Sequence, residues 1–84
     1  MYSVFYTSSA NRQYQRLPHE VASRIREAVE ALAYHPRTPH TEKLAGHLSA
    51  YRLRVGSYRV LYTIEDAIRR VVIYRIRHRR DAYR

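Results

Sequence analysis

Apolar and polar residues alternate along residues 51–64, and this pattern predicts a β-hairpin at the centre of the fold. The dipeptide Gly56-Ser57 suits its two-residue turn, because glycine adopts positive φ at little cost. One face of the hairpin is expected to pack on a core. The residues of that face are apolar or aromatic: Tyr51, Leu53, Val55, Tyr58, Val60, Tyr62 and Ile64.

The opposite face of the predicted hairpin carries three arginines, Arg52, Arg54 and Arg59. Guanidinium groups placed side by side on a sheet repel one another, so local stability does not explain them. An anionic partner would account for their positions. The alternative interpretation is a solvated sheet face on which arginines happen to alternate.

The rest of the chain predicts two helices and two more strands, in the order β-α-α-β-β-β. A strand at 2–7 precedes a helix that Ser8 or Ser9 can cap, and Pro18 suits the first turn of a second helix. Two prolines within 35–40 end that helix. The segment 68–76 is very apolar, which predicts a third strand of the meander that is central or well covered. The second helix has an apolar stripe at helical spacing: Val21, Ile25, Ala28, Val29 and Leu32.

These elements predict a small α+β fold in which a two-helix hairpin packs on one face of a mainly antiparallel sheet. With 84 residues, the chain is expected to form one domain, 1–84. Because the helices cover only one face of the sheet, the other face must be polar or bind something. The arginines of the hairpin supply that polarity.

Positive charge is concentrated in the second part of the chain. Residues 51–84 hold ten basic and three acidic groups, whereas residues 1–50 hold six and four, and the net charge is +9. This asymmetry suggests a polyanionic partner, either nucleic acid or an acidic protein. All basic residues except Lys43 are arginine, whose planar fork binds phosphate and carboxylate bidentately.

Several classes of protein are disfavoured by composition. The chain has no cysteine, which excludes a disulfide framework and a thiolate nucleophile or metal site. No apolar run approaches the ~20 residues of a membrane span, and no signal peptide precedes the first strand, so a cytoplasmic protein without membrane contact is expected. We expect no metal and no cofactor, since four histidines lack metal-ligand spacing and are interpreted as surface residues: His19, His35, His40 and His47.

Three segments carry a resemblance to a known family: Lys43-Leu44-x-Gly46, the hairpin from Tyr51 to Tyr62, and the closing run from His78 to Tyr83. Together with the order of elements, they resemble the RelE/ParE superfamily of toxin–antitoxin toxins, with the RelE-like branch favoured. The similarity covers essentially the whole chain. It implies the microbial RNase-like RelE fold and one of two activities. RelE-type members are ribosome-dependent mRNA endonucleases, whereas ParE-type members act on DNA gyrase.

The resemblance also implies a site on the open sheet face and the C-terminal tail. By position, the basic residues of the two hairpin strands fall on Arg52, Arg54 and Arg59. The basic residue before the tail falls on Arg77 or Arg79, the terminal tyrosine on Tyr83, and His78 starts an H-R-R-x-x-Y tail found in many members. The implied catalytic residues are Arg54, Arg59, His78 and Tyr83. The implied RNA-binding residues are Arg52, Arg54, Arg77, Arg79 and Arg80.

Metal-free RNA cleavage requires three things: deprotonation of a 2′-hydroxyl, stabilisation of the phosphorane, and protonation of the leaving 5′-oxygen. Arginine suits the second task alone, because a pKa above ~12 keeps it protonated. Related RelE toxins carry lysines on the hairpin strand where this chain has arginines. Acid–base chemistry is therefore expected from Tyr83 or His78.

Three functions remain open from the sequence. The favoured one is a ribosome-dependent mRNA endonuclease. The others are a gyrase inhibitor of the ParE type and a catalytically weak toxin that acts only by binding its antitoxin. An acidic antitoxin is the expected partner in each case, and DNA would be contacted only through it. The nuclease would also contact mRNA and the phosphates of ribosomal RNA.

Overall fold

A computed structural model of the chain describes residues 1–46 and 49–81. The elements are strand β1 (Ser3–Tyr6), helices α1 (Ser8–Gln15) and α2 (His19–Leu32), and strands β2 (Thr41–Lys43), β3 (Ala50–Val55), β4 (Tyr58–Glu65) and β5 (Arg70–His78). A short 3₁₀ turn, Asp66–Ile68, joins β4 to β5. The expected α+β fold, with two helices against a mainly antiparallel sheet, is confirmed.

The sheet has the order β1-β5-β4-β3-β2. Strand β1 runs parallel to β5, and the other pairs are antiparallel. The sequence did not predict β2, whose three residues are too few for a periodic signal. The last strand, predicted at 68–76, spans Arg70–His78, because Ile68 lies in the 3₁₀ turn with 55% of its surface exposed.

The helix caps differ in one position from the expectation. Thr7, rather than Ser8 or Ser9, caps α1: its Oγ1 accepts a hydrogen bond from the Ala10 amide at 3.1 Å, and its backbone is extended. Both serines lie inside the helix. Pro18 occupies the N-cap position of α2, where its missing N–H leaves no helical hydrogen bond unmade.

The hydrophobic core lies between the two helices and one face of the sheet. Tyr62 is fully buried in it and donates its hydroxyl hydrogen to the Pro36 carbonyl oxygen at 2.7 Å. Burial raises the pKa of Tyr62 to about 12. The core contains Ala10, Ile25, Val29, Leu32, Tyr51, Leu53, Val60, Tyr62, Ile64, Val71, Ile73 and Ile76. In the described ranges, neither helix is long and apolar enough to cross a membrane.

A network around Asp66 holds the loop between α2 and β2. Arg37 donates from Nη1 and Nη2 to the two carboxylate oxygens of Asp66, at 3.2 and 2.8 Å. Its Nε donates to the hydroxyl of Tyr51 at 3.0 Å, and the hydroxyl of Tyr2 donates to Asp66. These contacts join the N-terminus, the β4–β5 turn and the loop that leads into β2. The loop is thereby tied to β3 and to the β4–β5 turn.

Candidate nucleic-acid interface

The open face of the sheet carries a row of three arginines on three neighbouring strands. Arg54 on β3 is the direct cross-strand partner of Arg59 on β4, and Arg59 is the partner of Arg77 on β5. Directly opposite side chains in such a ladder have Cβ atoms about 4.5–5.5 Å apart. We call Arg54, Arg59 and Arg77 the arginine row. The register brings together three of the arginines that the sequence singled out.

Strand β5 reaches this arrangement through a β-bulge. Tyr62 pairs with Ile73 and the preceding Leu61 pairs with Arg75, so β5 has one extra residue between these pairs. Strict alternation from the buried Ile73 would turn Arg75 and Arg77 towards the core. The bulge reverses the alternation, so that Ile76 is buried and Arg77 lies on the open face. The arginine row therefore depends on the bulge.

A second row lies next to the first. Arg52 on β3 pairs with Leu61 on β4, and Leu61 pairs with Arg75 on β5. On the outer side, Arg52 pairs with Glu42 of β2 and donates from Nη2 to a Glu42 carboxylate oxygen at 2.7 Å. This guanidinium lowers the pKa of Glu42 through the hydrogen bond and its charge. Arg52 therefore meets a counter-ion within the protein.

The turn of the hairpin orients Arg59. Arg59 donates from Nη1 to the carbonyl oxygens of Gly56 and Tyr58, at 3.2 and 3.0 Å. Gly56 has φ of 58°, and Ser57, the second turn residue, has no positive φ; this is the pattern of a type II′ turn. A side chain at Gly56 would also meet the Arg24 guanidinium of α2, at 2.9 Å from the added Cβ. The positive φ at Gly56 favours glycine there, and the carbonyl oxygens of Gly56 and Tyr58 fix the central guanidinium.

A cleft of about 260 Å³ opens where the hairpin meets β2 and its preceding loop. A smaller depression of about 110 Å³ adjoins it and is lined by Arg52, Arg59 and Arg77 with two leucines. The cleft walls are polar and mostly charged. They include His40, Thr41, Glu42, Arg52, Arg54 and Arg59.

His78 does not lie on the open face with the arginines. The prediction that the site brings His78 together with them is therefore wrong. Because Arg77 faces outward, the next residue along the strand faces the helices. The imidazole lies edge-on to the ring of Tyr58, with centroids 5.1 Å apart, and its Nδ1 accepts a hydrogen bond from the Arg80 amide at 3.2 Å. His78 thus packs at the end of the sheet, on the side opposite the arginine row.

The tail beyond β5 begins close to the hairpin turn. The Arg79 amide donates to the Ser57 carbonyl oxygen at 2.7 Å, and Nη1 of Arg77 donates to the Asp81 carbonyl oxygen at 3.4 Å. The side chains of Arg79 and Arg80 are exposed. Tyr83, the expected catalytic tyrosine, lies outside the described residues.

The sequence analysis did not place the two titratable residues of the cleft other than arginine, His40 and Glu42, in the site. His40 was interpreted as a surface histidine because it stands in a proline-rich loop without a ligand pattern. Only the pairing of β2 with β3 reveals that this loop runs beside Arg54, whose amide donates to the His40 carbonyl oxygen at 3.1 Å. The sequence contained no signal for that proximity.

Comparisons with known proteins extend over nearly the whole chain. Residues 4–83 match the family described as the ParE toxin of the type II toxin–antitoxin system parDE. Toxin RelG of Mycobacterium tuberculosis is 39% identical over 87 aligned positions, which cover 99% of this chain and 97% of RelG.

Solved structures give the same result. A chain of the RelBE2 toxin–antitoxin complex from Mycobacterium tuberculosis is 32% identical, with a TM-score of 0.81, and the match covers 92% of this chain and 96% of that one. A chain of the archaeal RelE–RelB complex from Pyrococcus horikoshii OT3 is 28% identical, with a TM-score of 0.82, and the match covers 93% and 94% of the two chains. The fold and the family that the sequence resembled are confirmed.

Proposed function

Because this chain belongs to the family of ParE toxins of type II toxin–antitoxin systems, within the RelE-like branch of the RelE/ParE superfamily, we propose that it is a toxin that cleaves mRNA on the ribosome. The observation that carries this proposal is the arginine row. Three guanidiniums with a shared direction form an electrostatic site for a phosphodiester. Their mutual repulsion would be relieved when the phosphate binds.

The proposed reaction is a transesterification without an added cofactor. The 2′-oxygen of one nucleotide attacks the adjacent phosphorus, the O2′–P bond forms and the P–O5′ bond breaks. The 2′-hydroxyl proton passes to a base, and an acid supplies a proton to the leaving 5′-oxygen. The products are a 2′,3′-cyclic phosphate and a 5′-hydroxyl.

The arginines have separate roles in this proposal. Arg59 is held by the turn carbonyls at the centre of the row, so it is assigned to stabilise the phosphorane. Arg54 and Arg77 flank it and hold the neighbouring oxygens. Arg52 keeps its Nη2 contact with Glu42 and binds the RNA backbone through its other N–H groups. Arg79 and Arg80, on the exposed tail, bind phosphates of mRNA or ribosomal RNA.

Proton transfer cannot come from these arginines, because they stay protonated. Tyr83 is proposed as the acid, since its phenolic O–H is a proton donor. His78 is left out of the catalytic set, because its ring faces the helices and packs on Tyr58. The base is considered in the next subsection.

An antitoxin is the proposed partner in the resting state. The solved relative from Mycobacterium tuberculosis is a toxin–antitoxin complex, and the one from Pyrococcus horikoshii is a complex of RelE with RelB. A net charge of +9 on this chain favours an acidic segment that covers the arginine row and excludes RNA. Contact with DNA would then occur through the antitoxin.

The proposal is tested by inducing wild-type toxin and variants in cells without antitoxin. Arg59→Ala and Tyr83→Ala are expected to relieve growth arrest, while Arg12→Ala, which removes the same charge from an exposed position on α1, leaves it intact. Thermal melts of the purified variants check that they fold. Full toxicity of both site variants would contradict the nuclease.

A second candidate, inhibition of DNA gyrase, is favoured by one observation, the match to the family described as ParE toxin. It predicts filamentation, inhibited supercoiling and intact message after induction. A supercoiling assay with purified gyrase and toxin separates the two. Inhibition there, together with uncut mRNA, would replace the nuclease by the gyrase inhibitor.

A further inference from the structure

We propose that His40 is the catalytic base that removes the 2′-hydroxyl proton in the cleft beside the arginine row. The inference rests on the proposed nuclease function and adds to it a residue that the family resemblance does not place in the site. His40 lines the same cleft as Arg52, Arg54 and Arg59. It therefore stands next to the groups assigned to hold the phosphate.

The backbone around His40 is well fixed although its side chain is exposed. Its amide donates to Thr38 Oγ1 at 3.2 Å, and its carbonyl oxygen accepts from the Arg54 amide at 3.1 Å. Thr41 closes the turn, because its hydroxyl donates to the Thr38 carbonyl oxygen at 2.7 Å. The turn is thus anchored both to itself and to β3. The backbone of His40 is therefore held beside β3, and its exposed side chain is accessible to RNA.

Competing bases are weaker candidates among the residues that line the cleft. Glu42 forms an ion pair with Arg52. The guanidinium lowers the pKa of the Glu42 carboxyl group, so this carboxylate is a poorer proton acceptor. The arginines cannot accept a proton at all. The neutral imidazole of His40, by contrast, has a ring nitrogen that can accept a proton.

The proposed step is balanced, because one proton leaves the 2′-hydroxyl and one proton is added to O5′. The neutral imidazole takes the 2′-hydroxyl proton as the O2′–P bond forms, and a separate acid protonates O5′ as the P–O5′ bond breaks. His40 leaves the step protonated and returns its proton to water. The charged groups that face it across the cleft are Glu42 from β2, Arg52 and Arg54 from β3, and Arg59 from β4.

The test is cleavage of a defined mRNA on purified ribosomes by wild type, His40→Ala and His35→Ala. His40→Ala is expected to lose about 100- to 10,000-fold in kcat, the usual contribution of a general base. His35→Ala is the matched control, because His35 is an exposed histidine at the other end of the same loop. Both hydrogen bonds that fix His40 use backbone atoms that alanine retains, so we expect His40→Ala to fold.

Three further readouts distinguish a base from a structural residue. Added imidazole is expected to restore part of the activity of His40→Ala and none in Arg59→Ala. The wild-type rate is expected to rise with pH as the base loses its proton, and this rise is expected to vanish in His40→Ala. In an mRNA with a 5′-bridging sulfur at the cleaved bond, the leaving group needs no acid. This substrate is expected not to restore the activity of His40→Ala, because the variant lacks the base.

Each outcome has a definite meaning. Cleavage by His40→Ala at the wild-type rate, or its rescue by the bridging-sulfur substrate, overturns the assignment of the base and leaves the nuclease standing. No cleavage by the wild-type protein under any condition overturns the proposed function and this inference together. Loss of cleavage in His40→Ala that added imidazole partly restores supports both the nuclease function and the assignment of His40 as the base.

Discussion

Arg54 and Arg59 are direct cross-strand partners in the central hairpin. Like charges at such positions destabilise a sheet, whereas opposite charges stabilise it. Arg77 extends the same row on the next strand. The arrangement is unfavourable for the isolated protein and favourable for a polyanion complex. Sites that bind charged ligands commonly lower the stability of the fold in this way. The row is therefore a feature of function rather than of stability.

Replacing Arg54 with glutamine is expected to stabilise the fold while it weakens RNA binding. Relief of the repulsion from Arg59 is worth about 0.2–1 kcal/mol, which raises Tm by up to several degrees in a domain of this size. The measurement is thermal unfolding at low and high salt, and the gain should shrink as salt screens the charges. Arg75→Gln is the control, because Arg75 pairs with Leu61. An equal gain in the control, or a gain that is independent of salt, would refute the repulsion.

Removing one arginine of the row is expected to reduce the salt dependence of RNA binding. Each phosphate contact to single-stranded RNA contributes about 0.7 to the slope of log K against log salt concentration. Arg77→Ala should lower the slope by about that amount, whereas Arg12→Ala on α1 should leave it unchanged. Titrations of a short RNA oligonucleotide at several salt concentrations give the slopes. A slope unaffected by Arg77→Ala would mean that the row does not contact phosphate.

The ion pair of Asp66 is expected to make stability depend on pH in acid. Its hydrogen bonds with Arg37, and then with Tyr2, lower the pKa of Asp66 to about 2. Since the folded-state pKa is depressed below the unfolded one, the contribution is present above about pH 4 and is lost as pH falls towards 2. Asp66→Asn should therefore melt below wild type at pH 7, and the difference should disappear near pH 2.

Tyr2→Phe is the control for this prediction, because it removes one hydrogen bond from Asp66 and leaves the ion pair with Arg37. Its Tm should fall less than that of Asp66→Asn. A difference between Asp66→Asn and wild type that stays constant from pH 7 to pH 2 would show that the carboxylate charge does not contribute.

The hairpin was predictable because its signal is local. The alternation of Leu53 and Val60 with Arg54 and Arg59 assigns each side chain to a face, and Gly56 marks the turn that sets the register. The apolar stripe of α2 was equally local, and Ile25, Val29 and Leu32 are buried as expected. The patterns of these two elements were enough to predict the fold class and two of the three arginines of the row.

The remainder of the site depends on long-range contacts that leave no periodic signal. The bulge beside Ile73 decides that Arg77 faces outward and His78 inward, and the sequence of β5 alone permits either alternation. Strand β2 is only three residues long, so the proximity of His40 and Glu42 to the arginines could be read only from its pairing with β3. The sequence therefore predicted the arginines of the site but not the neighbouring His40 and Glu42.

The most direct test of the central claim is to map the ends of a defined mRNA after incubation with purified toxin and translating ribosomes. We predict discrete cuts in the translated region, with a 2′,3′-cyclic phosphate on the upstream fragment and a 5′-hydroxyl on the downstream one. These cuts should be absent with Arg59→Ala and present with Arg12→Ala. Intact mRNA with folded wild-type toxin, or identical cuts by Arg59→Ala, would contradict the assignment of the arginine row as a site of RNA cleavage.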